Sequence, residues 1–148
     1  MIRSALACGL ASLVLAGAAA AATPVQQAAR DFGLIGAWAD DCSRPASRDN
    51  EYDVYAFGQD GSVKERYAWG PGAGTNNYSW TSAQRVGPDR LVMDGVFFGN
   101  GLGQHTTMQK RGNHVRVLEN RDSSGRLLVV NGRFPSGGVS GWQTKCSD

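Results

Sequence analysis

The chain has 148 residues, with 15 Lys and Arg against 13 Asp and Glu, for a formal net charge of +2. That length suits one domain with a genuine core. The near-neutral balance, with its arginines scattered along the chain, argues against nucleic acid or an anionic membrane as the main partner. At the N-terminus Arg3 supplies one positive charge and residues 6–16 an apolar run too short to span a bilayer. Small residues at 18–22 offer A-x-A registers for a signal peptidase, so residues 1–22 read as a signal peptide that takes Cys8 with it. The mature chain is then expected in the periplasm or outside the cell, with no membrane span and two cysteines, Cys42 and Cys146. An even pair in an oxidising compartment forms one disulfide, and a loop of about a hundred residues predicts ~4 to 5 kcal/mol of stabilisation in the chain-entropy model.

Helical signals are confined to residues 23–33, where Thr23-Pro24 caps and starts a short helix and Gly33 ends it. From residue 34 the pattern changes to short β runs, expected at 34–39, 52–57, 62–69, 77–86, 90–98, 104–111, 114–121, 126–134 and 141–145. Turn residues punctuate them at Gln59-Asp60-Gly61, Gly87-Pro88-Asp89, Gly112-Asn113 and Ser123-Ser124-Gly125. Eight or nine strands joined by short hairpins make a meander, and a meander of that length removes its edges by closing on itself. The expected fold is therefore all-β, an antiparallel up-and-down barrel over residues 34–148 with a short N-terminal helix and one disulfide. Closure would bring Cys42 beside Cys146. A two-sheet sandwich is the alternative, but it needs long crossovers, and the long loops are only 43–50, 70–76 and 135–140.

Gly36-Ala37-Trp38 on the first strand, preceded by a short helix and followed by the meander, resembles the GxW signature of the lipocalin and avidin-like superfamily. The resemblance implies a small closed barrel with one open mouth that holds a small apolar molecule or caps a partner protein. It also implies that Trp38 plugs the closed end and that an arginine from a late strand lies across it. Arg133 matches that arginine best, with Arg121 as the alternative.

Alternate residues of a strand share a face. On the third expected strand Val63, Glu65, Tyr67 and Trp69 face one way, so a barrel that buries them puts the Glu65 carboxyl inside. Such a group is costly there unless it is paired or touches a ligand. Tyr78 and Trp80 on the fourth strand and Leu91, Met93 and Phe97 on the fifth complete an aromatic interior. Glu65, Tyr67, Trp69, Tyr78, Trp80 and Phe97 are accordingly the expected ligand-binding residues, in a lumen that is either hollow or filled by its own side chains.

Catalytic signals are sparse. His105 and His114 on adjacent strands are two ligands at most for a metal, Ser140 lacks the second glycine of a nucleophile elbow, and Asp40-Asp41 sits at a strand end. No nucleophile, base and oxyanion donor combine, so neither an enzyme nor a metal or cofactor is expected. The function expected is an exported barrel holding a small apolar or aromatic ligand. The alternative is an exported inhibitor or binder of a protein partner, such as a peptidase or lysozyme, using residues 23–32 or the loop at 99–103 as its inserting part.

Overall fold

The computed structural model of the chain describes residues 21–68 and 76–148. The expected signal peptide, apart from its last two alanines, and Trp69 lie outside the described residues. One helix, α1 (Pro24–Phe32), precedes nine strands: β1 (Gly36–Ala39), β2 (Tyr52–Phe57), β3 (Val63–Ala68), β4 (Asn76–Arg85), β5 (Arg90–Phe97), β6 (Gly103–Arg111), β7 (His114–Asp122), β8 (Leu127–Val129) and β9 (Gln143–Ser147). Consecutive antiparallel pairing runs from β1 to β7, β7 then pairs β9, and β9 pairs β1. Eight strands thereby close a barrel, an arrangement consistent with a calycin-like fold. The Cys42–Cys146 disulfide lies beside the β1–β9 seam, with its Cα atoms 5.2 Å apart.

Gly36 explains how that seam closes. Its φ of +124° disfavours any L side chain, and a Cβ there would come within 2.1 Å of the Ser147 carbonyl on β9. Two residues on, Trp38 is buried and its indole donates to the Leu34 carbonyl at 2.7 Å.

The eighth expected strand, 126–134, is corrected to three residues. Asn131 and Gly132 both adopt positive φ, which turns the chain out of the sheet after Val129. β8 lies beside the Asn120–Arg121 half of β7, whereas β9 takes the His114–Val115 half and completes the barrel. β7 is thus shared by two partners at its two ends.

The helix closes one end. Thr23 and Gln26 form a reciprocal capping box, and Gly33 ends the helix in a left-handed conformation. Gln26 also donates to the carbonyls of Gly58 and Ser62, Thr23 to that of Gly61, and Lys110 to that of Phe32. Val25, Ala29 and Phe32 are buried together with Trp38, Val63, Trp80, Leu91, Met93 and Val115. Residues 23–32 are therefore a plug, not an inserting arm: freeing them for a partner would expose this core and leave the helix's barrel contacts unmade.

Candidate functional site

Topology sorts the inward-facing residues by depth. β2 enters from the open end, so Asp53 lies nearer the mouth than Tyr55, while β3 returns from the plugged end and carries Val63, Glu65 and Tyr67 outward in that order. Register pairs Trp38 with Asp53, Asp53 with Tyr67, Tyr55 with Glu65, and Glu65 with Tyr78. The resulting cluster sits halfway up the lumen. Tyr78 stacks on Trp80 with ring centroids 5.0 Å apart, meets Tyr67 edge-on at 5.8 Å and leans on Phe97 at 4.9 Å.

Glu65 is 4% exposed, and the Trp80 indole donates to it at 2.7 Å. Burial pushes its carboxyl up to about 7, although hydrogen bonding from Trp80, Tyr67 and Tyr55 favours the charged form. Asp53 is also raised well above the ordinary carboxylate range, first by burial and then by the charge of Glu65, while Gln143 opposes the shift. Burial likewise raises the phenols of Tyr55, Tyr67 and Tyr78, which therefore stay neutral, and Tyr55 and Tyr67 donate toward Glu65. The two carboxyls restrain each other's ionisation, a coupling that any charged group entering the lumen would shift.

Above this cluster opens a cavity of about 610 Å³, within the size range of small-molecule sites. Tyr67, Tyr78, Met108, Val117, Leu128 and Val129 supply its aromatic and apolar lining, and Asp40, Glu51, Asp53, Asn120 and Gln143 its polar lining. Phe134 and Val139, 43% and 62% exposed, stand at its rim. Among the described residues, Asp53 Oδ1 and Asn120 Oδ1 are shielded from solvent and have no protein partner. Gln104 Oε1 and Thr106 Oγ1 share that state, on the same face of β6 as the cavity-lining Met108. Buried polar atoms are usually satisfied, so four unpaired oxygens along two neighbouring strands and β2 stand out.

Of the residues expected to bind ligand, the structure brings Glu65, Tyr67, Tyr78, Trp80 and Phe97 together, and Trp69 falls outside the described residues. Tyr67 and Tyr78 reach the cavity surface. Glu65 and Trp80 lie beneath it, engaged with each other. The sequence reading overlooked Asp53 and Asn120, although the alternation that singled out Glu65 on β3 also points Asp53 inward on β2. Arg133 does not lie across Trp38: it is exposed in the turn after β8, bridged to Val130 and Val139, and Arg121 is exposed opposite His105. The cation over the Trp38 ring is Lys145 of β9, 5.8 Å from the centroid.

The two histidines do not meet. His105 pairs across the sheet with Arg121 and His114 with Arg111, at opposite ends of the β6–β7 ladder. His105 contacts Asp94 at 2.6 Å on the outer wall, where both side chains are about half exposed. Among the described residues no group of three or more His, Cys, Asp and Glu side chains is arranged to hold a metal ion. Asp41 is occupied in its own loop, accepting from Ser43. No helix among the described residues is long and apolar enough to cross a membrane. No family model, no curated protein and no solved structure matches this chain.

Proposed function

We propose that this protein is an exported, lipocalin-like binding protein that holds a small molecule with an aromatic or apolar body in the open half of its barrel. The observation that carries this reading is the lumen cavity of about 610 Å³, bordered by Tyr67 and Tyr78, with Trp80 stacked on Tyr78 beneath it. A self-filled barrel would have closed that space with side chains, as this one does beside the helix. The disulfide supports passage through an oxidising compartment.

Native mass spectrometry of protein purified gently from its own cell envelope tests the proposal. A bound mass lost on denaturation is the expected result, and it should vanish in a Leu128→Trp variant whose indole occupies the cavity while the fold is retained. Protein that carries no ligand and takes up no apolar dye, with the cavity intact, would overturn it. The exposed Phe134 and Val139 at the rim favour a second reading, in which a partner protein's segment enters the same mouth. A co-purifying protein released by Leu128→Trp would move the weight there.

A further inference from the structure

The outer wall of the barrel carries a basic and aromatic surface of its own. Leu91, Met108 and Val115 are buried and point inward, so by strand alternation Arg90, Gln109, His114 and Arg116 face outward. Register sets the outward residues in two rows. Arg90, Gln109 and Arg116 lie side by side across β5, β6 and β7, and Arg111, His114 and Thr144 do so across β6, β7 and β9. Trp142 extends the first row, because its neighbour Gln143 is paired with Val115. Two guanidiniums meet its ring, Arg116 at 4.5 Å and Arg111 at 5.1 Å from the centroid. Arginines scattered along the chain thus share one face of the folded barrel.

The protein does not neutralise these charges itself. Ion pairs among the described residues join Lys64 to Asp60, His105 to Asp94, Arg126 to Asp122 and Lys145 to Asp148, and none includes Arg90, Arg111 or Arg116. Neither row contains a carboxylate: Glu119 stands in the next outward row, paired with Thr107, Asp89 flanks Arg90 in the turn, and Asp40 lies beside Gly141. Arg116 donates to the neutral amide of Gln109 at 3.0 and 2.8 Å, which orients the guanidinium and leaves its charge in place. His114 shares a hydrogen bond with the Thr144 hydroxyl through Nδ1 at 3.2 Å, leaving Nε2 for another partner. Two like charges held against one indole repel, and the ring offsets only part of that cost. Arg111, His114 and Trp142 line a surface notch of about 230 Å³, where an oxyanion would meet a guanidinium edge suited to carboxylate or sulfate.

We propose that this wall binds an acidic polysaccharide, with one uronate or sulfate group in the notch at Arg111, His114 and Trp142 and the chain continuing over Arg116 toward Arg90. A sugar chain fits better than an anionic bilayer. The exposed large hydrophobic side chains all lie outside the two rows, so the patch has no apolar group to insert among acyl chains. It offers instead an indole for the C–H face of a sugar ring, and Gln109 and Thr144 for its hydroxyls. Of these residues Arg116 alone also borders the lumen cavity, so the glycan site stands apart from the carrier function.

The test titrates the disulfide-intact protein with polygalacturonate, dextran sulfate and neutral dextran by isothermal titration calorimetry at low and high salt. At least one acidic chain should bind, neutral dextran should not, and the affinity should fall as salt rises. Arg111→Gln should weaken binding about tenfold, and Arg90→Gln, farther from the notch, should cause a lesser loss. Arg121→Gln removes the same charge at the far end of the β6–β7 ladder and should change the affinity less than about twofold. Arg111 is exposed, so its variant should melt with the native protein. Equal losses from Arg111→Gln and Arg121→Gln would reveal a general attraction to a basic protein and overturn the site. Binding to phosphatidylglycerol vesicles, lost in Arg111→Gln and unaccompanied by binding of either acidic chain, would overturn the polysaccharide assignment in favour of a membrane. Failure of both acidic chains and of the vesicles would overturn it outright. None of these outcomes touches the carrier reading, since Arg111 lies outside the lumen cavity.

Discussion

At the plugged end of the lumen Trp38, Val63, Leu91, Met93 and Val115 pack against Val25, Ala29 and Phe32 of α1. Along the same strands toward the mouth the inward positions become Asp53, Glu65, Tyr67, Tyr78 and Asn120, and packing gives way to a cavity. One end is filled and apolar, with its polar needs met by the capping box and by Gln26, and the other retains solvent-shielded oxygens without protein partners. The contrast separates stability from binding: the plugged end buries the area that holds the barrel, which frees the open end to carry groups a packed core would not tolerate.

The largest expected effect tests whether the seam joining the two ends depends on its covalent link. Replacing Cys42 and Cys146 by serine opens a loop spanning 104 residues in sequence separation. The loss should be ~4 to 5 kcal/mol in the chain-entropy model, read as a shift in urea midpoint against the oxidised protein. A loss under ~1 kcal/mol would mean that the β1–β9 ladder holds the seam alone.

Truncations at the two ends sharpen the contrast directly. Trp38→Ala at the plugged end should cost roughly 3 to 5 kcal/mol, whereas Tyr78→Ala, whose ring already borders open space, should cost roughly 1 to 2 kcal/mol. Equal costs in denaturant unfolding would show that the open half is as tightly packed as the plugged half.

The buried carboxyls predict an unusual pH dependence. Glu65 has an ordinary value of 4.5 when free and is pushed up to about 7 in the fold, where Tyr55, Tyr67, Trp80 and Glu51 surround it. Below pH 4.5 it is protonated in both states and makes no difference. Between pH 4.5 and about 7 only the unfolded chain releases the proton, so stability falls as pH rises through that window. The penalty levels off at roughly 3 kcal/mol above it. Asp53, raised for the same reason, adds with the same sign. Glu65→Gln keeps an acceptor for the Trp80 indole and should flatten much of this slope, so thermal midpoints at pH 5 and pH 8 should converge in the variant and diverge in the native protein.

The smallest effect belongs to the plug's own cap. Thr23→Ala removes one half of the capping box and the hydrogen bond to the Gly61 carbonyl, for about 1 kcal/mol. Ligand affinity should be unchanged, since the cavity lies at the far end. A change in affinity without a change in stability would break the separation between the two ends.

Much of the fold was legible in the sequence because strand alternation and turn chemistry are local. Residues 52–57 read as a strand with the bounds the structure has, the helix runs from Pro24 to Phe32 inside the predicted segment, and Cys42 joins Cys146. The inward direction of Glu65 and Tyr67 followed from a period of two in the backbone. Asp53 was legible by the same rule and was missed, because a single acid between Tyr52 and Val54 resembles an ordinary exposed strand position until its neighbours are known.

What the tertiary structure decided depends on how strands lie against one another. The run at 126–134 is apolar enough for a long strand, yet the positive φ at Asn131 and Gly132 ends it, and β9 takes the remaining half of β7. Lys145, and not an arginine, came to lie over Trp38 because the β1–β9 register placed it opposite that residue. The hollow at the mouth is lined by residues from β2, β3, β4, β6, β7 and β8, brought together from positions far apart in the chain. Backbone alternation is a property of each residue and its neighbours, and so it is written in the sequence. Register, closure and unfilled volume are set by contacts between residues far apart in the chain, so only the assembled barrel determines which of its inward-facing groups meet one another and which meet open space.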